Sequence, residues 1–241
     1  MDPELHRAHA DLDETHWWFR GRRRIIRAVL ARHLPLGIGS ILDVGCGAGG
    51  LLGVLEEHGE VIAIEGEAAT AAVAHERHPA ADVRVGVLPD ALAEIDGCRL
   101  VTAFDVIEHV DDDVGLLRAM HDALAIGGTL CVTVPALPSL WSHHDEVNGH
   151  KRRYTARTLR AALTVAGFDV GHLSYFNTVL LPVVWVARRL EGLRRQPATD
   201  FDRTLGPADR LLEAVFAAER HVVARWSMPL GVSLIAVAVR R

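Results

Sequence analysis

A glycine-rich turn between two apolar segments restricts the fold more than any other feature of this chain. Ser40 to Val44 is a short apolar run stopped by Gly45, and Gly49 to His58 then carries Leu51, Leu52 and Leu55 at helical spacing. Gly45, Gly47 and Gly50 satisfy a GxGxxG pattern at this strand-to-helix junction, where the backbone turns sharply and a ligand can approach it closely. Glu65 closes the next apolar run, where a ribose-binding carboxylate belongs. The alternation continues through Val61 to Ile64, a helix from Glu67 to Glu76, Val83 to Val87, Leu100 to Asp105, a helix from about Asp112 to Ala125, and Leu130 to Val134. Strands alternating with helices of this length predict an α/β fold, a parallel sheet covered on both faces. Thr15 to His33 predicts an N-terminal helix over the core, apolar at Trp18, Ile25, Ile26, Val29 and Leu30, with Arg22, Arg23 and Arg24 as a basic stripe.

Beyond Pro135 the pattern changes. Ala136 to Tyr154 is polar, crowded with His, Asp and Arg, and without sustained period; it reads as a long loop over a site. A helix capped by Thr155 runs to Ala166 and ends at Gly167, and Phe168 to Phe176 follows as a strand. Two helical stretches, about Thr178 to Arg195 and Pro207 to Arg225, are joined by Gln196 to Gly206, and Val232 to Val239 closes the chain as a protected strand. There is no internal repeat, so the 241 residues read as one domain: a helical cap over 1–39, a cofactor-binding core over 40–134, and a substrate-side half over 135–241 with a helical insertion at about 178–225.

Composition excludes several classes. With 26 basic against 31 acidic residues the net charge is -5, which argues against a nucleic-acid partner or an anionic lipid coat. Cys46, Cys98 and Cys131 are dispersed and odd in number, which fits a reducing cytoplasm and gives no zinc spacing. Met1 to Asp13 lacks the apolar stretch of a secretory signal. Val179 to Ala187, broken by Pro182, is about half the roughly 20 residues that a membrane span needs.

Charge also selects among nucleotides. A dinucleotide would bring a pyrophosphate to the glycine turn, yet no Lys or Arg occurs from His33 through Glu76, while Asp43, Asp105 and Glu108 fall at the carboxyl edge of the expected sheet. Carboxylates there suit a ligand with an ammonium and a sulfonium, which describes S-adenosylmethionine. The run Ile41-Leu42-Asp43-Val44-Gly45-Cys46-Gly47-Ala48-Gly49-Gly50, with Glu65 and Phe104-Asp105-Val106-Ile107-Glu108-His109-Val110, resembles the class I S-adenosylmethionine-dependent methyltransferases of the small-molecule type. Looser similarity continues through Trp141, His144, Asp145, Glu146, Gly149, His150 and Tyr154 to the last strand.

That resemblance implies a Rossmann-like three-layer sandwich whose seven-stranded, mostly parallel sheet carries an antiparallel last strand. It implies S-adenosylmethionine as cofactor and S-adenosylhomocysteine as product. Gly45, Cys46, Gly47 and Gly66 would border the cofactor, Asp43 would orient the turn or reach the ammonium through water, and Glu65 would take both ribose hydroxyls. Val87-Leu88-Pro89 stands where relatives carry an adenine-reading acid, which leaves the Leu88 backbone or Asp90 for that task. Asp105, Val106 and His109 would line the wall nearest the sulfonium, with His109 equally readable as a helix-start residue packed over the turn; Trp18 and Arg22 are candidates to cover the cofactor carboxylate, whereas Trp17 and Phe19 read as packing.

On the substrate side, in-line displacement chiefly needs alignment, and a hydroxyl acceptor also benefits from a general base. His144 or His150 is the expected base with Asp145 orienting it; a structural loop and a metal site are the competing readings, and no metal is assigned. The expected function is methyl transfer to a small molecule, at oxygen ahead of nitrogen or carbon. Alternatives are a cyclisation or elimination on the same cofactor, a cofactor-binding protein without catalysis, and, more distantly, a nicotinamide-dependent oxidoreductase. The insertion, with Trp185, Leu190 and Phe216 on apolar faces and Arg188, Arg189, Arg194 and Arg195 alongside, reads first as a core-packing helix pair; a lid, a homodimer contact and a face resting on lipid are the alternatives.

Overall fold

The chain is described here from a computed structural model that covers residues 13–191 and 206–241. Helix α1 (Trp17–His33) leads into β1 (Gly39–Val44), α2 (Leu52–Leu55), β2 (Gly59–Glu65), α3 (Ala68–Arg77), β3 (Asp82–Val85) and β4 (Cys98–Phe104). Then come α4 (Asp113–Ala123), β5 (Leu124–Pro135), α5 (His143–Val147), α6 (Ala156–Val165) and β6 (Phe168–Phe176). Helices α7 (Leu181–Glu191), α8 (Pro207–Ala218) and α9 (Arg220–Val223) precede β7 (Ser233–Arg240). The strands form one sheet in the order β3-β2-β1-β4-β5-β7-β6, with β7 antiparallel to both of its neighbours and the other pairs parallel.

The sheet is covered on both faces, and β7 shows why its sequence is apolar without interruption. Leu234, Ala236 and Ala238 enter the core on one face, with Val101 and Leu130; Ile235 and Val237 enter the other, with Ile25, Ile41 and Phe176. Strands buried on two sides lose the alternation of a half-solvated strand. At the sheet's edge, β3 leaves Val85 exposed, and the strand predicted to reach Val87 ends there.

Other elements depart from the expectation as well: β5 begins at Leu124, ahead of the predicted Leu130, and the helix predicted over Pro207 to Arg225 is divided into α8 and α9. The helix predicted over Gly49 to His58 contracts to Leu52–Leu55. It must stop because the chain has to return to the sheet at Gly59, whose Cα lies so close to the Gly39 carbonyl that a Cβ would sit 2.1 Å from that oxygen. The polar stretch 136–154 is also more ordered than its lack of period implied: it holds a 3-10 turn at Pro138–Leu140 and helix α5, whose Asp145 accepts the Ser142 N–H at 2.9 Å.

The basic stripe of α1 is explained by α8. Glu213 is buried and pairs with Arg20 (3.0 Å) and Arg24 (2.8 Å), while Phe216 stacks on Trp18 and Phe176 and presses on Gly21. Phe216 therefore clamps α1 to the sheet, whereas Trp185 on α7 stays exposed beneath the Arg189 guanidinium. The predicted connection from Gln196 to Gly206 and the basic residues Arg194 and Arg195 lie outside the described residues, apart from Gly206. Among the described residues no helix is long and apolar enough to cross a membrane.

Candidate functional site

The glycine turn joins β1 to α2 at the carboxyl edge of the sheet. The Gly45 and Cys46 N–H groups both donate to the Ile64 carbonyl (2.8 and 3.0 Å), which ties the turn to the end of β2. Gly45 has φ +72°, and a Cβ on it would meet Val106 at 2.7 Å; Gly47 has φ +57° and open space where a Cβ would point. Val106 thus acts by packing beneath the turn. Glu65, at the end of β2, accepts the Gly47 N–H (2.9 Å) with one carboxylate oxygen and the Glu67 N–H (3.0 Å) with the other. Each oxygen keeps a second lone pair for a ligand.

Beside the turn lies a cleft of about 390 Å³, lined among others by Phe19, Arg22, Asp43, Gly47, Phe104 and Asp105. Its volume is in the range of small-molecule sites. Asp105 follows β4 with φ +59° and pairs with Arg22 at 2.6 Å. Thr133 of β5 links them, accepting from Arg22 (2.9 Å) and donating to Asp105 (3.1 Å). The Arg22 guanidinium also lies over the Trp18 ring at 5.4 Å and the Phe104 ring at 6.0 Å. The gap in cations near the turn is therefore filled from α1 by Arg22, which sequence reading named as a candidate without its Asp105 partner. Phe19, expected only to pack, lines the cleft, whereas Trp17 packs edge-on against Phe216.

Asp43 is buried in β1 and accepts the Thr102 hydroxyl at 2.6 Å. Burial pushes its carboxyl up to about 7, against the lowering effects of the Thr102 hydrogen bond and the Arg22 charge. An acid raised in the folded state holds a proton that the unfolded chain has released, so stability falls as pH rises from about 4 towards 7. Urea midpoints are accordingly expected to show the wild-type chain losing up to about 4 kcal/mol relative to Asp43→Asn between about pH 4 and pH 8. A constant difference across that range would contradict the buried protonated carboxyl.

The second cluster lies in the segment after β5. Asp145 is fully buried and receives His150 Nδ1 (2.8 Å), Arg153 Nε (2.8 Å) and Arg188 Nη1 (3.2 Å). Burial alone would raise this carboxyl, but the hydrogen bonds from His150 and Arg153 and the charge of Arg153 hold it well below the usual range. Arg153 is buried and also donates to the Ala136 carbonyl at 3.0 Å; Arg152 pairs with Asp113 at 2.9 Å. Of the two candidate bases, His150 has the carboxylate partner, while the His144 ring centre lies 6.2 Å from that of His150.

His109, expected along the cofactor wall, sits instead on the exposed end of the 3-10 turn Ile107–His109, edge-on to His150 at 4.8 Å. Burial and the nearby His150 lower its pKa. Its neighbour Glu108 is fully buried. Leu88 is half-buried against the core, and neither it nor Asp90 lines the cleft. The residues that sequence reading missed, Thr102, Phe104 and Thr133, are strand positions whose polarity or ring carries no signal without the register of the sheet.

A sheet with this order and reversed last strand, holding an acid-lined cleft over a glycine turn, has the architecture of class I S-adenosylmethionine-dependent methyltransferases. The chain belongs to the methyltransferase-domain family, whose model matches residues 17–173. It is 31% identical over 167 residues to a Mycolicibacterium smegmatis protein named as a probable S-adenosylmethionine-dependent methyltransferase, covering 66% of this chain and 62% of that one. A Mycobacterium tuberculosis H37Rv protein named in the same way is 29% identical over 178 residues, covering 69% and 61%. The chain thus spans about three fifths of the length of these curated relatives. In fold it is similar to an S-adenosylmethionine-dependent methyltransferase from Mesorhizobium loti, with TM-score 0.61 and 20% identity over 88% of this chain and 96% of the other. It is also similar to the [4+2]-cyclase SpnF, with TM-score 0.57 and 19% identity over 90% and 81%. Fold likeness at this identity does not choose between transfer and other chemistry.

Proposed function

We propose that the chain binds S-adenosylmethionine in the cleft over the glycine turn and transfers its methyl group to a hydroxyl oxygen of a small molecule. The observation that carries the reading is the position of Glu65, whose carboxylate braces the glycine turn while keeping lone pairs for two ribose hydroxyls. The fit extends along the cleft. Open space above Gly47 leaves the backbone approachable, Asp105 suits a cationic ligand, and Arg22 keeps a buried Nε without a partner among the described residues. That nitrogen suits the carboxylate of an amino-acid moiety. Bound there, S-adenosylmethionine supplies an electrophilic methyl on a sulfonium.

The chain's own work is alignment and activation of the acceptor. Asp145 accepts Nδ1–H of His150, which fixes the tautomer and leaves Nε2 as the atom through which a hydroxyl is activated. Arg153 and Arg188 keep Asp145 ionised and hold α5 in place. This dyad favours oxygen over a neutral amine, which needs no activation, and it favours transfer over binding alone.

Isotope-labelled methyl donor incubated with phenols, aliphatic alcohols, amines and carboxylic acids tests the assignment. Labelled O-methyl product is expected; labelled amine products alone would overturn the oxygen acceptor. His150→Asn is expected to lower kcat by about 10²-fold or more, and His144→Asn by less than about threefold. The reverse order would move the activating role to His144.

A further inference from the structure

We propose that Glu108, His109 and His150 hold a divalent transition-metal ion at the edge of the cofactor cleft. Each residue offers one donor atom, and the three atoms lie within 4.8 Å of one another. Donors bound at about 2.1 Å in a tetrahedral arrangement stand about 3.4 Å apart, so side-chain movements of about an ångström close the site.

The independent observation is Glu108. Its side chain is 0% exposed, and neither carboxylate oxygen has a hydrogen-bond partner of normal geometry among the described residues; only its own backbone N–H lies near. A buried carboxylate without partners is costly unless it takes a proton or meets a cation. Burial and the charge of Asp105 raise its pKa, while the positive charges of Arg22 and Arg153 are close enough to oppose that shift without bonding to it. The chain holds this acid in place deliberately: the Lys151 N–H donates to the Glu108 carbonyl at 2.7 Å, which brings His150 onto the turn that carries Glu108 and His109.

The imidazoles are arranged as ligands usually are. His150 gives Nδ1–H to Asp145, which orients the ring and leaves the Nε2 lone pair for a cation. The His109 ring stands edge-on to that of His150, with the centroids 4.8 Å apart. Two imidazoles and one carboxylate suit Mn²⁺, Co²⁺, Fe²⁺ or Zn²⁺ better than Mg²⁺ or Ca²⁺, which prefer all-oxygen sets. Three protein ligands leave coordination positions open, and the exposure of His109 leaves them reachable from solvent.

The site itself stands on the geometry above, and its role rests on the proposed methyl transfer. A hydroxyl with a neighbouring oxygen donor, such as a second hydroxyl or a carbonyl, would chelate the ion through two oxygens. The coordinated hydroxyl loses its proton to solvent water, its oxygen bonds the methyl carbon, and the carbon–sulfur pair leaves with sulfur as S-adenosylhomocysteine. His150 then acts as a ligand, with Nε2 on the ion instead of on the hydroxyl proton.

The test uses the full chain, free of any affinity tag and stripped with a chelator, titrated with CoCl₂ while visible d–d absorption and calorimetric heat are recorded. S-adenosylhomocysteine binding is measured in parallel. One Co²⁺ per chain is expected, with affinity lowered about 10–100-fold or more in Glu108→Gln. S-adenosylhomocysteine affinity should stay within about threefold. Because Glu108 is buried, His109→Ala at an exposed position serves as the second variant and should also weaken Co²⁺ binding. Absence of Co²⁺ uptake by a chain that binds S-adenosylhomocysteine, or uptake unaffected by both variants, would overturn the site and leave the methyl-transfer reading standing. Specific uptake by a chain that binds no S-adenosylhomocysteine would support the site and sink that reading.

Discussion

Glu65→Ala is expected to weaken S-adenosylhomocysteine binding by about 100-fold. Two charge-assisted hydrogen bonds to ribose hydroxyls are each worth about 1.5–3 kcal/mol, and losing even half of that total amounts to about two powers of ten. The loss has a second source in the apo chain. Glu65 accepts the Gly47 and Glu67 N–H groups, so its removal also loosens the turn that the ligand must approach. Glu65→Gln separates the two contributions, because the amide oxygen can still accept one backbone N–H but carries no charge. Calorimetric titration should place it between wild type and the alanine variant. Equal affinity in all three chains would remove Glu65 from the ligand's path.

Asp145→Asn should produce the largest loss of stability of any single polar substitution in this chain. The carboxylate is 0% exposed and compensates the guanidinium groups of Arg153 and Arg188, whose side chains are only 2% and 6% exposed. Removing one partner of a buried ionic cluster typically costs about 3–5 kcal/mol, since the remaining charges stay desolvated. For a chain of this size that corresponds to a fall in Tm of about 10 °C. The depressed pKa of Asp145 fixes the pH dependence. Its contribution is present above the unfolded carboxyl range, near 4, and is lost as pH falls below it. The destabilisation measured at pH 7 should therefore persist near pH 4 and shrink as pH falls from about 3 towards 2, and an effect of equal size at pH 7 and pH 2 would assign Asp145 a role in packing alone. Catalysis should fall with stability, since His150 loses the acceptor that fixes its ring.

The parts of this molecule legible in sequence are those governed by local chemistry. Gly45 and Gly47 announce their turn because positive φ angles favour glycine, and the β6 bounds Phe168–Phe176 follow directly from the Gly167 stop and a continuous apolar run. The reversed β7 came only through resemblance, since Ser233–Arg240 reads as a strand of either direction. What stayed hidden depends on tertiary register. Arg22 is a candidate for the cofactor carboxylate in sequence, but its partner is not legible there: α8 claims Arg20 and Arg24 through Glu213, and Arg22 turns inward onto Asp105. Likewise Arg153 carries no sign of burial in a polar segment without period, and its neighbours become clear only when α5 brings Asp145 to it. His109 carries two readings in sequence, and only the fold shows that it ends a 3-10 turn with its ring edge-on to His150.

A crystal structure of the chain grown with S-adenosylhomocysteine tests the central claim most directly. The account predicts the ribose hydroxyls on Glu65 and the homocysteine carboxylate at Arg22, with the sulfur directed towards His150. Density for the ligand at any other surface, or a glycine turn left empty at saturating ligand, would contradict it.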